Sequence, residues 1–206
     1  MKKRWEEWKE FLDKGDWHVH TDFTQGENTI TDMCEQAKAN RLKLIVFTKY
    51  VRKDDSTLSN FCIEIEKIRK KFSTLKILIG CEAKVTDKKG NLTASIKDME
   101  KCDVVLGSFK GVPSRNKETL LTALKNMIKN PSVDIWAHPS SFFERCALTQ
   151  KEIEEVIDLC IKNKVLIENN INHNYKMPRF IEFAKDMGAE IVTGYDAHNT
   201  AELRKI

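Results

Sequence analysis

Seven apolar, β-rich runs recur along the 206-residue chain, most of them followed by a segment of helical periodicity, and this alternation constrains the fold more than any other feature. The runs occupy residues 16–20, 42–48, 76–85, 102–110, 133–138, 165–171 and 190–195. Helical segments at 30–40, 57–72, 117–129, 149–163 and 177–187 alternate with them, several opened by Ser or Thr or closed by Asn or Gly. The runs are continuously apolar rather than alternating, so they read as parallel strands covered on both faces and joined by right-handed crossovers. About 27 residues are available per unit after Gly15, close to the roughly 30 of a βαβ unit, whereas an eight-unit barrel takes about 250 in all. The chain is therefore predicted to be α/β: a distorted (βα)7 TIM-like barrel in a single domain over residues 16–206. Residues 1–15 are predicted to form a charged amphipathic leader helix that packs Trp5 and Trp8 on the barrel. The sequence reaches Ile206 where an eighth helix would begin, so that helix is expected to be clipped.

Apolar residues make up 41% and charged residues 32%, with only 8 Gly and 4 Pro, which excludes a disordered or low-complexity chain. Apolar stretches such as Leu44-Ile45-Val46-Phe47 fall far short of the roughly 20 residues of a membrane-spanning helix. The basic start meets Glu6 and Glu7 where a secretion signal would carry its apolar core. Six cysteines without a CxxC pair read as reduced, buried thiols and predict a cytoplasmic protein. A net charge of +4, with both signs interspersed, leaves no electrostatic footprint for nucleic acid.

The histidines carry the chemical signal. His18 and His20 close the first run, His138 the fifth, and His198 lies just past the seventh; only His173 is placed less sharply. In a parallel barrel the C-terminal strand ends converge on one face, so four imidazoles are expected at one mouth. Glu82 in the third run and Asp196 beside His198 add carboxylates, and imidazole with carboxylate is the ligand set of Zn, Mn or Fe. His18 and His20 are two apart, which on a strand turns both rings to one side. One strand-end histidine alone is more often a hydrogen-bonded structural residue; four at equivalent positions favour a metal. Trp17, Phe109 and Trp136 are expected in the core, and Asn169, Asn170 and Asn172 are expected to line the end of the sixth strand.

These residues resemble the PHP (polymerase and histidinol phosphatase) domain family. The resemblance runs from Asp16 to Asn199 and rests on His18-Val19-His20-Thr21, Gly80-Cys81-Glu82, Ala137-His138-Pro139 and Tyr195-Asp196-Ala197-His198. It implies a seven-stranded distorted barrel, metal-dependent phosphoester hydrolysis and a trinuclear metal cluster. Three ligand positions depart from the family pattern: Gln25, Tyr50 in Thr48-Lys49-Tyr50, and Lys110 in Gly107-Ser108-Phe109-Lys110. By resemblance, one ion would be held by His18, His20, Glu82 and Asp196, all intact. A second would use Glu82, Lys110 and His138, and a third Gln25, Tyr50 and His198. The first is expected, the second is in doubt because Lys110 offers an ammonium in place of a lone pair, and the third is expected to be absent.

The same cations suit phosphate. Lys49, Arg52 and Lys110 are expected at the mouth where the missing ions would stand, with Arg115 a further candidate for phosphate contact. In the implied reaction Asp196 orients a metal-activated water, Lys110 helps hold the phosphoryl group, and His138 or His198 protonates the leaving oxygen. The expected activity is that of a metal-dependent phosphoesterase acting on a phosphorylated small molecule or nucleotide, with no membrane partner. Two alternatives compete with it. One is a catalytically degenerate PHP domain that binds a phosphorylated ligand or a protein partner; the other is a nucleic-acid processing module, for which no stacking platform or helix-turn-helix is visible.

Overall fold

The computed structural model describes residues 2–109, 114–171 and 177–206. Seven strands pair in chain order: β1 (Gly15–Val19), β2 (Leu44–Tyr50), β3 (Lys76–Lys84), β4 (Val104–Ser108), β5 (Ile135–Trp136), β6 (Leu166–Asn170) and β7 (Ile191–Gly194). All neighbouring pairs are parallel. The sheet curls until β1 meets β7, where Val19 bridges Ala197 and the His20 amide donates to the Ala197 carbonyl at 2.8 Å. The buried Asp16 carboxylate ties the same seam by accepting the Tyr195 amide at 3.0 Å. The result is the nearly closed seven-stranded barrel that the repeating pattern predicts, in one domain.

Helices α1 (Ile30–Ala39), α2 (Leu58–Arg69), α3 (Ile96–Met99), α4 (Lys117–Lys129), α5 (Pro139–Phe143), α6 (Gln150–Asn163) and α7 (Pro178–Asp186) cover the outside. Thr29 and Thr149 open α1 and α6 with capping boxes to Asp32 and Glu152, which is why the Thr signals located those ends well. Short α3 and α5 were not foreseen, because one turn leaves no apolar period to read.

Strand alternation sorts the apolar side chains into layers. Leu44, Val46, Leu78, Val104, Leu106, Ile135, Leu166 and Val192 fill the barrel interior together with Trp5 and Trp17. Phe47, Phe61, Ile65 and Ile79 form an outer layer under α1 and α2; Leu124, Met127, Trp136, Ile157 and Phe180 form another under α4, α6 and α7. Phe109, Trp17 and Trp136 are fully buried, as expected of core residues.

Three local expectations give way. The leader is a 3-10 helix (Arg4–Phe11) interrupted at Trp8 (φ −118°, ψ 24°), not a regular amphipathic α-helix. Its path is set by anchors in the barrel floor, since Trp5 is buried and Lys3 Nζ donates to the Val133 carbonyl at 2.5 Å. Strand β5 is only two residues long because His138 turns left-handed (φ 49°) straight into Pro139 of α5. The segment expected to begin a clipped helix is a 3-10 turn, Thr200–Glu202. No helix among the described residues is long and apolar enough to cross a membrane.

Candidate metal centre

The C-terminal ends of β1, β3, β5 and β7 deliver their polar residues onto the top of the apolar plug. In β1 the register slips between Asp16 and Val19, a bulge that lets Trp17 join the interior core while His18 still faces the layer above it. Glu82 stands on β3 two alternations beyond the interior Leu78, so pleating alone turns it inward. His138 and Asp196 are aimed by backbone turns: both sit at φ 49°, a left-handed conformation that costs a non-glycine residue about 1–2 kcal/mol. Strain at two residues of one buried cluster is the pattern of a functional site.

Five of the six expected metal residues meet. His20 Nε2 lies 2.9 Å from Asp196 Oδ1 and 3.6 Å from Glu82 Oε2. His18 Nε2 lies 3.4 Å from Asp196 Oδ1 and 3.5 Å from Glu82 Oε2. His138 Nε2 lies 3.6 Å from Glu82 Oε1 and 3.8 Å from Asp196 Oδ2. Two overlapping donor sets result: His18, Glu82 and His138, and His18, His20 and Asp196. Donors around a tetrahedral ion with bonds of about 2.0–2.1 Å stand roughly 3.3–3.5 Å apart, close to most of these separations. His18 Nε2 is fully buried and, among the described residues, makes no well-formed hydrogen bond although two carboxylates lie 3.4 and 3.5 Å away, which suits a ligand atom. The residues present therefore fit a divalent ion.

Charge points the same way. Burial lowers the pKa of His18, but the carboxylates of Glu168 and Asp196 override it and hold this imidazole well above its usual range. Burial, with the His18 charge beside it, pushes His20 down against the opposing pull of Asp196. Burial would raise Glu82, yet hydrogen bonds and charge from His138 and His18 keep it well below the ordinary carboxylate range. Three buried carboxylates, Glu82, Glu168 and Asp196, thus face a centre that needs positive charge.

Glu168 escaped the sequence reading. It follows the interior Leu166 by two residues on β6, accepts His18 Nδ1–H at 2.8 Å and takes the His138 backbone amide at 2.7 Å. An ionised carboxylate only accepts, so this bond keeps a proton on Nδ1, and it is Nε2, facing the centre, that offers a lone pair once its own proton is displaced. The available signal was a single acid inside the apolar run 165–171. Gly194 makes room for it: a Cβ there would lie 2.8 Å from His18 Cβ and closer still to Glu168 Oε1. Asn170, an expected neighbour of the site, places its amide 3.2 Å from His138 Nδ1.

The remaining candidates separate. His198 is half-buried, its ring 4.7 Å from that of His20, with Nδ1–H donating to the Asp196 carbonyl at 2.7 Å; it belongs to neither donor set. Gln25 is exposed, and Tyr50 is half-buried beside its register partner Glu82. Lys49 corrects the expectation that it faces the mouth. It follows Phe47 by two and pairs in register with Cys81, both in the outer layer, so alternation turns it away from the interior and its ammonium is bound to Asp55 at 3.0 Å. Arg52 is exposed at the rim, 5.7 Å from the Tyr50 ring. Arg115 is exposed and shares a surface cavity with Ser114, Glu144 and Arg145, none of them in the cluster. Lys110, Asn172 and His173 lie outside the described residues.

Comparison with known proteins agrees with this geometry. A "probable phosphatase" of Thermoanaerobacter sp. (strain X514) is 29% identical over 194 residues, covering 89% of this chain and 78% of that protein. The DNA polymerase/3'-5' exonuclease PolX of Bacillus subtilis is 24% identical over 201 residues, 92% of this chain but 35% of PolX. Among solved structures, hisK of Listeria monocytogenes, named for a histidinol phosphatase, superposes with a TM-score of 0.70 at 15% identity, over 92% of this chain and 97% of that one; at that identity it speaks for the fold alone. The family model described as "PHP domain" matches residues 16–172, most of the chain and three of the four strand ends that build the cluster. With its barrel, its paired histidines and its matching sequence, the chain belongs to the PHP domain family.

Proposed function

We propose that this protein is a metal-dependent phosphoesterase acting on a phosphorylated small molecule or nucleotide. The convergence of His18, His20, Glu82, His138 and Asp196 at separations suited to a shared cation carries this reading. His18, His20, Glu82 and Asp196 would hold one ion, Zn, Mn or Fe, with His138 completing the Glu82 side. When bound, such an ion supplies Lewis-acid activation of water and of the phosphoryl group.

The chain's own groups do the rest. Glu168 locks His18 in the tautomer that presents Nε2, and the left-handed turn at Asp196 keeps its carboxylate on the centre. His138 is 0% exposed with Nε2 turned to two carboxylates, so proton delivery to the leaving oxygen falls to His198. With Nδ1–H fixed on the Asp196 carbonyl, it is the second nitrogen of His198 that, in the imidazolium form, would donate its proton to the leaving oxygen and be left with a lone pair. Arg52 draws the phosphate to the rim, a role also open to Lys110. All six cysteines are free thiols, which suits the cytoplasm.

The binding-only reading draws on Tyr50, which takes a position where the resemblance implies a ligand histidine and carries two cations on its ring. Elemental analysis of the purified protein, combined with turnover of p-nitrophenyl phosphate under Zn, Mn or Fe and after chelation, separates the two. Bound metal and chelator-sensitive turnover are expected. Bound metal without turnover under any supplement supports binding alone, and a metal-free protein defeats both readings.

A further inference from the structure

The rim above the metal centre carries an arrangement of its own. On β3 the interior face continues from Leu78 through Glu82 to Lys84, one alternation nearer the mouth. Register places Tyr50 beside Glu82 on one side and Ser108 beside Lys84 on the other. The Lys84 ammonium lies 4.3 Å from the Tyr50 ring centroid and the Arg52 guanidinium 5.7 Å from the same centroid. Among the described residues neither cation has a carboxylate in ion-pair contact, in contrast to Lys49 with its Asp55. Ser108 adds an independent observation. It follows the interior Leu106 by two, is 0% exposed, and its hydroxyl has no hydrogen-bond partner among the described residues.

Two like charges gathered on one ring repel each other, and a buried hydroxyl left unmet is unfavourable. A phosphate group relieves both, since its oxygens accept from the ammonium, the guanidinium and the hydroxyl together. We propose that Lys84 and Arg52, gathered on Tyr50, together with Ser108 beside Lys84 in register, form a phosphate-recognising subsite that selects the dianion of a phosphomonoester over the monoanion of a phosphodiester. Two cations match two negative charges, whereas a diester brings one charge and a second ester arm to the same crowded rim. The selectivity rests on the phosphoesterase reading; the anion site itself does not.

Titration of inorganic phosphate into the intact protein by calorimetry tests the site directly. The double variant Lys84→Met, Arg52→Gln should bind phosphate about tenfold more weakly or worse, and Lys84→Arg should keep most of the affinity. Ser108→Ala should weaken phosphate binding by about threefold without lowering the melting temperature, an outcome that a packing role for the hydroxyl does not give. Against p-nitrophenyl phosphate and bis(p-nitrophenyl) phosphate, the double variant should lower the monoester-to-diester ratio of kcat/KM by about tenfold, mainly through KM. Equal phosphate affinity in the wild type and the double variant overturns the subsite, and an unchanged ester ratio overturns its selectivity. If the wild type turns over neither ester, the phosphoesterase reading and the selectivity fall while the phosphate titration still decides the subsite.

Discussion

The two ends of the barrel handle buried charge in opposite ways. At the floor, Lys3 Nζ donates to the carbonyls of Asn130, Pro131 and Val133, and Arg4 donates to those of Met99, Cys102 and Ser132 while pairing with Asp134. Trp5 closes the interior core above them and donates its indole N–H to the Lys164 carbonyl at 2.8 Å. At the mouth, three acids crowd three imidazoles, two residues are held left-handed, and His18 Nε2 makes no well-formed hydrogen bond among the described residues. The floor cations are met by carbonyls and a carboxylate of the chain itself, with Asp134 Oδ1 left without a hydrogen bond among the described residues, whereas the mouth gathers donor groups that could hold a cation. On the proposed function, stability and chemistry are concentrated at opposite ends of the same strands, as in parallel barrels generally.

The sharpest way to break that division is at the floor. Trp5→Ala removes a large buried side chain and should lower stability by about 3–5 kcal/mol in denaturant unfolding, with metal content per folded molecule unchanged. Loss of metal from a still-folded variant would show that the floor also shapes the site. His20→Ala should do the reverse: metal affinity and turnover fall by more than about 100-fold, with a much smaller change in unfolding. Elemental analysis beside a rate assay reads this, and a variant that keeps both metal and activity removes His20 from the ligand set.

Smaller changes sharpen the picture. Glu168→Gln keeps the shape but loses the charge that orients His18, so metal affinity should fall by roughly 10–100-fold. A variant with wild-type affinity would reduce Glu168 to a packing role. The pH dependence of loading is the mildest test. His18 is held well above its usual range, so at neutral pH it carries a proton that an incoming cation must displace. Apparent affinity should therefore rise with pH, by up to about tenfold per unit for each proton released, until His18 deprotonates. Calorimetry in buffers of different ionisation enthalpy counts those protons, and a count of zero contradicts the charge state assigned to His18.

Much of the site was legible because strand ends are legible. His18, His20, Glu82, His138 and Asp196 each stand at or just past the end of an apolar run, and a parallel barrel gathers such ends whatever the loops do. Lys49 departs from the expected place at the mouth because one residue along a strand from Thr48 and Tyr50 is the opposite face. Lys84 and Glu168 were readable by the same rule, each two residues beyond an inward-facing neighbour, Glu82 and Leu166. The leader helix and the shortness of β5 were not readable, since both depend on anchors far away in the chain, such as Lys3 on Val133.

The order of residues by itself determined the number of strands, their parallel sense and the chemical kinds of group carried at their C-terminal ends, because these follow from local periodicity. Tertiary structure alone decided which of those groups share a centre. Closure of β1 on β7 sets His20 against Asp196, the bulge admits Trp17 without displacing His18, and the left-handed turns bring His138 and Asp196 inward. Each depends on contacts between segments remote in the chain, which no local pattern encodes.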